Sequence, residues 1–169
     1  MPDSVSRPLA DSLRDRAQAL DWGAAERTKH PRRKVAVVTC MDSRIDVFER
    51  LGLTLGDAHV VRNAGALVTD DVVRSLVLSQ RALGTTEIVV MGHTDCGLSG
   101  LDDDAFIESL EAQVGERPQW RPGGFADVAA QVQRGVGRLR DCPFLARRDA
   151  VSGFVLDVAT GEVREVASS

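Results

Sequence analysis

No apolar run in this 169-residue chain approaches the roughly 20 residues that cross a bilayer, which argues against a membrane partner. The first twenty residues interleave Asp and Arg with Leu and Ala, so an uninterrupted apolar leader is lacking too. A soluble, cytoplasmic protein is expected. An excess of one charge sign is also missing: 21 Lys+Arg stand against 25 Asp+Glu, a formal net charge of −4. These charges are scattered rather than striped, leaving no electrostatic footprint for nucleic acid. Cysteine is scarce and odd in number. Cys40, Cys96 and Cys142 make no disulfide framework, and in a cytosolic chain metal binding or chemistry is the better reading of them. No internal repeat or low-complexity tract is visible.

What the chain does have is material for a core. Its composition is 43% hydrophobic, which at this length suffices for a single domain over 1–169. Leu9, Leu13, Ala17 and Leu20 recur at helical spacing after Pro8 and predict an amphipathic helix over about 8–21. Val35-Ala36-Val37-Val38 and Ile88-Val89-Val90-Met91 are short β-branched runs, the pattern of central parallel strands covered on both faces. Between them, His59-Val60-Val61 reads as a strand. Asp70 to Leu83 reads as a helix with acidic residues in its first turn and Gly84 just past its end. Further helices are expected around Phe106, Ile107, Leu110 and Val114, and around Val128, Val132, Val136 and Leu139, with Pro143 closing the second. Val151 to Val158 and Val163 to Val166 flank Ala159-Thr160-Gly161-Glu162 and read as a terminal hairpin. The alternation predicts an α/β fold: a central, mostly parallel sheet with an antiparallel C-terminal edge strand.

Two short signatures carry the chemistry. Cys40-Met41-Asp42-Ser43-Arg44 and His93-Thr94-Asp95-Cys96-Gly97 each follow directly on an apolar strand-like run. In open α/β sheets ligands bind beyond the carboxyl ends of strands, where Cys40 and His93 fall. Two thiolates and one imidazole suit tetrahedral Zn²⁺ and leave a fourth position for water or a carboxylate. A zinc ion that merely clips two loops together would use the same three ligands, and on Cys40, His93 and Cys96 alone the two readings are about even. Asp42 and Arg44 favour catalysis: they alternate with Cys40, so an extended segment would turn both toward the metal, the guanidinium keeping the carboxylate ionised.

Cys40-x-Asp42-x-Arg44 together with His93-x-x-Cys96-Gly97 resembles the zinc signature of the β-class carbonic anhydrases. Gly56-Asp57, Val61-Arg62-Asn63-Ala64-Gly65 and the segment Val151 to Val166 resemble further stretches of that family, in its compact prokaryotic branch. The resemblance implies a sheet of order 2-1-3-4 plus an antiparallel edge strand, helices on both faces, and homodimers or dimers of dimers in which the N-terminal helix packs on the partner subunit. It implies Cys40, His93 and Cys96 as zinc ligands, Asp42 as acceptor of a hydrogen bond from zinc-bound water, and Arg44 as the residue pinning Asp42. The implied reaction is reversible hydration of carbon dioxide to bicarbonate and a proton, with activity rising toward alkaline pH. In some members the residue equivalent to Asp42 binds zinc directly and closes the site. Tyrosine, present in the pocket of the plant-like branch, is absent from this chain.

Two other functions fit the same residues: hydrolysis of a related heterocumulene such as carbon disulfide, and a non-catalytic zinc module with Asp42 closing the tetrahedron. Other polar residues read more plainly. His59 is expected to be a hydrogen-bonded structural residue, His30 solvated, Cys142 buried as a small hydrophobe, and Asp95 and Asp102-Asp103-Asp104 helix-start residues. Arg62-Asn63-Ala64-Gly65 divides about evenly between a structural turn and the position that the resemblance implies for it, near the site at the dimer contact.

Overall fold

The computed structural model describes residues 28–166 together with Leu9, Ala10 and Leu13. The helix expected over 8–21 otherwise lies outside the described residues. Five strands form one sheet: β1 (Val35–Cys40), β2 (Ala58–Asn63), β3 (Glu87–His93), β4 (Val151–Leu156) and β5 (Val163–Glu165). Between residues 28 and 166 the sheet is accompanied by the α-helices α1 (Val47–Leu51), α2 (Asp70–Arg81), α3 (Asp103–Val114) and α4 (Val128–Asp141). The sheet order is β2-β1-β3-β4-β5, parallel except for the antiparallel pairing of β4 with β5.

Every residue of β1 is buried, which is why residues 35–38 are a continuous apolar run rather than an alternation, and buried Thr39 donates its hydroxyl to the Met91 carbonyl. One face of the sheet takes Val72 and Leu76 of α2 and Val132, Val136 and Leu139 of α4 against Ala36, Val38, Ile88, Val90, Val151 and Val155. The other face gathers Val35, Val37, Met91 and Leu156 with Ile45, Val47, Ala66 and Phe125. Each fully buried Leu or Val contributes about 1.5–3 kcal/mol, so the two layers jointly fix the sheet's position.

The helix termini follow capping chemistry. Thr69 Oγ1 accepts from the Val72 amide to start α2, and Asp102 and Asp127 accept from the early amides of α3 and α4. The five-residue α1 shows no helical periodicity in sequence; Asp46 caps its start, and Gly52 in the left-handed region ends it. Of the apolar residues expected to face the core from α3, Ile107 is buried whereas Phe106 and Val114 are exposed. That helix lies at the rim of the molecule.

Candidate metal centre

The chain leaves β1 for β2 on one side of the sheet and returns to β3 on the other, so the carboxyl ends of β1 and β3 open onto a shared crevice. Cys40 is the last residue of β1 and His93 the last of β3. The loop after His93 is pinned to the end of β4: the Thr94 amide donates to the Leu156 carbonyl, and Thr94 Oγ1 accepts from the Val158 amide. Asp95 adopts a left-handed φ of 53°, reversing the chain so that Cys96 turns back toward His93.

The three side chains are buried, and their ligand atoms all lie within 4.8 Å of one another. Cys40 Sγ and Cys96 Sγ are 4.0 Å apart. Around tetrahedral zinc, donors at 2.0–2.3 Å are separated by roughly 3.3–3.8 Å, so the triad need contract by about 1.5 Å at most. His93 is oriented for the task. Its Nδ1 lies 2.8 Å from the Thr94 carbonyl, which requires the proton there, while buried Nε2 has no partner and keeps its lone pair toward the sulfurs. An orphaned buried acceptor costs about 1–3 kcal/mol, and a metal would relieve it. Burial pushes the Cys96 thiol above its ordinary pKa, with neighbouring Cys40 adding to the rise. A bound cation would favour the ionised thiolates. The residues fit zinc.

Asp42 and Arg44 lie at the rim of the triad, in a turn rather than the extended segment their alternation predicts. The Asp42 carboxylate accepts from the Arg44 amide at 2.9 Å, and the Asp42 carbonyl accepts from Ile45, bending the chain immediately after β1. The turn folds Arg44 back onto its neighbour: Nε donates to Asp42 Oδ1 at 3.0 Å and Nη2 to Oδ2 at 2.8 Å. Arg44's side-chain bonds, and then its amide, hold the Asp42 carboxyl well below the usual carboxylate range. Asp42 Oδ2 lies 3.9 Å from His93 Nε2.

Two arginine contacts were not legible from spacing. Arg62 donates from Nε to the Cys40 carbonyl at 2.8 Å and from Nη2 to the Asp42 carbonyl at 2.7 Å, bracing the turn from β2. Arg44 reaches across to the second signature, donating to Asp95 Oδ2 at 2.7 Å and to the Asp95 carbonyl at 2.8 Å. Asp95 is therefore not the helix cap expected of it: α3 begins only at Asp103 and is capped by Asp102. Asp103 and Asp104 do belong to a helix start, with Asp103 also accepting from the Gly123 and Gly124 amides. Asn63 bridges both backbone groups of Leu67, and Gly65 packs against Leu98 and Phe125, so that segment is structural and adjacent to the site at once. His59 is hydrogen bonded to Ser79 and the Lys29 carbonyl, His30 is exposed, and partly buried Cys142 packs on the core away from the triad.

Fold and site together define an α/β protein with a Cys-His-Cys centre of zinc type at the switch point of a parallel sheet. Residues 35–117 match the family model described as carbonic anhydrase. Beta-carbonic anhydrase 1 of Mycobacterium tuberculosis (strain ATCC 25618 / H37Rv) is 46% identical over 136 residues, spanning 80% of this chain and 83% of that protein. A crystal structure of carbonic anhydrase from Streptococcus mutans superposes with a TM-score of 0.84 at 40% identity, covering 94% of this chain and 97% of the other. A carbon disulfide hydrolase of Acidithiobacillus thiooxidans is 33% identical over 153 residues, or 78% of this chain and 76% of that one. The chain belongs to the β-carbonic anhydrase family.

Proposed function

We propose that this protein catalyses the reversible hydration of carbon dioxide to bicarbonate and a proton, with zinc held by Cys40, His93 and Cys96. The observation that carries the reading is the unpartnered Nε2 of buried His93, turned toward two buried thiols with the ionised Asp42 carboxylate alongside. Zinc in such a centre supplies a Lewis acid that lowers the pKa of a water, more weakly with two thiolate ligands than with three imidazoles. Asp42 accepts a hydrogen bond from the attacking water and turns its lone pair toward the substrate carbon. Arg44 keeps Asp42 charged and fixes its direction through two parallel bonds. Arg62 holds the Cys40–Asp42 turn in register with β2. The two Arg44 bonds also hold the Asp42 carboxylate away from the closed arrangement, in which it would itself serve as a ligand in a non-catalytic module.

Stopped-flow hydration by zinc-replete protein from neutral to alkaline pH, with Cys96→Ala as the blank, tests this reading. Turnover that rises with pH and vanishes in the blank supports it, and a trace equal to the blank at every pH rejects it. The carbon disulfide hydrolase relative gives a second reading, attack on the carbon of another linear heterocumulene, which hydrogen sulfide release from carbon disulfide measures in the same samples.

The chain is read as one domain over 1–169, forming a cytoplasmic homodimer or a dimer of dimers in which the helix over about 8–21 lies against the partner. Supporting this, Leu9 and Leu13 are helical and exposed at 73% and 57%. Among the described residues no helix is long and apolar enough to cross a membrane.

A further inference from the structure

We propose that Asp95 is a positioning residue that anchors the Arg44 guanidinium and thereby holds Asp42 in its working direction. The inference rests on the reading that Asp42 and Arg44 serve the reaction.

Arginine offers five N–H donors in a rigid fork, and four of Arg44's are committed. Nε–H and one Nη2–H go to the Asp42 carboxylate; the second Nη2–H goes to the Asp95 carbonyl and one Nη1–H to the Asp95 carboxylate. The Arg44 side chain is 46% exposed, so packing does little to fix it. Without Asp95 the guanidinium would be oriented chiefly by the carboxylate it is meant to orient. The two bonds to Asp95 tie it to the loop between His93 and Cys96, and so to the metal-ligating framework itself.

The backbone supports the same role. Asp95 sits at φ 53°, where aspartate, asparagine and glycine are tolerated and alanine is strained. That conformation brings both its carbonyl and its carboxylate onto Arg44. The two contributions separate by substitution. Asp95→Gly keeps the left-handed turn but removes the side-chain acceptor; Asp95→Asn keeps turn and acceptor but removes the charge; Asp95→Ala removes the acceptor and strains the turn.

The Asp95 carboxylate is largely exposed, so its ion pair is a modest one, and the expected loss of kcat in Asp95→Gly is about threefold to fivefold with KM unchanged. Asp95→Asn is expected within about twofold of the parent. The second readout is independent of turnover: hydrogen exchange of the Arg44 Nε–H by ¹⁵N NMR, assigned by its loss in Arg44→Lys and measured on metal-free and zinc-loaded protein. Exchange several-fold faster in Asp95→Gly than in the parent and Asp95→Asn, at equal zinc content, supports the proposal. Parent-like kcat and exchange in Asp95→Gly, with only Asp95→Ala impaired, would show that the residue serves the turn alone and overturn it. Full turnover in Asp42→Ala would overturn the underlying reading instead, and the exchange measurement would still report whether Asp95 holds Arg44.

Discussion

Gly153→Ala is the most direct test of how α4 sits on the sheet. An ideal Cβ at Gly153 of β4 meets Val132 Cγ1 at 2.7 Å and Val136 Cγ2 at 3.1 Å. Ordinary carbon contacts lie at about 3.5–4.0 Å, so Val132 would have to move by about 1 Å. It has nowhere to go, because Val132 is fully buried, β-branched and stiff at χ1, and its other methyl lies 2.8 Å from the Cβ position of Gly92 on β3. Replacing glycine in a strand gains about 0.4–1 kcal/mol from the unfolded chain, whereas overpacking costs about 1–3 kcal/mol, so overpacking wins. For a chain of this length, each net kcal/mol lowers Tm by about 2–4 °C. A urea or thermal double-mutant cycle with Val132→Ala isolates the cause. Val132→Ala alone loses two buried methyls, about 2–3 kcal/mol with its cavity, yet vacates the space the new Cβ needs. The double variant should then be no more than about 1 kcal/mol less stable than Val132→Ala, a coupling of roughly 1–2 kcal/mol in the compensating direction. Strict additivity, or a Gly153→Ala protein as stable as its parent, would refute the close approach of α4 to β4.

Arg62→Met should remove the side-chain donor to the Cys40 carbonyl and one of the two donors to the Asp42 carbonyl, which keeps the Ile45 amide, and weaken zinc affinity about 10- to 100-fold, measured by competition with a chromophoric chelator. Zinc uptake by the metal-free protein should release protons, because the raised Cys96 thiol must ionise to ligate; calorimetry in buffers of different ionisation enthalpy counts them, and no release at neutral pH would contradict a thiolate site. The Gly124 and Gly123 amides and Arg121 hold the Asp103 carboxyl below its ordinary pKa, so its stabilisation is present above about pH 4 and is lost as pH falls through the lowered value. Asp103→Asn should accordingly be less stable than the parent near neutrality, with the two converging in acid; a gap of constant size from pH 7 to pH 2 would show that the charge is irrelevant.

The readable and unreadable parts of this chain separate by the range of the interactions that made them. β1 and β3 could be placed because burial on both faces demands apolar residues over 35–38 and 88–91, a demand visible in a handful of consecutive letters. α2 and α4 were visible for the same reason at the helical period, since Val72 and Leu76, and Val132, Val136 and Leu139, face one layer. The three candidate ligands were visible because a thiol or imidazole at a strand end has few competing uses. α1 was missed because five residues cannot show a period, and it exists through the Asp46 cap and the Gly52 turn.

The surroundings of the three donors were hidden for a different reason. Asp42 and Arg44 look like an alternating, extended pair, but the Arg44 amide bonds the Asp42 carboxylate and closes the turn, so local hydrogen bonding outweighs the strand-like spacing. Asp95 resembles a cap because acidic residues after a strand usually precede a helix; its φ of 53° and its partner 51 positions away are products of the assembled sheet. Arg62 lies on β2 and acts on two carbonyls beyond the end of β1, a relation created only by the parallel register that pairs Cys40 with Asn63. The ligand types are thus written locally, whereas the direction of the carboxylate beside them is set by three separate chain segments converging on Arg44 and its turn. On the proposed reading, a substitution at Arg62 or Asp95 therefore alters the chemistry while Cys40, His93 and Cys96 all stay in place.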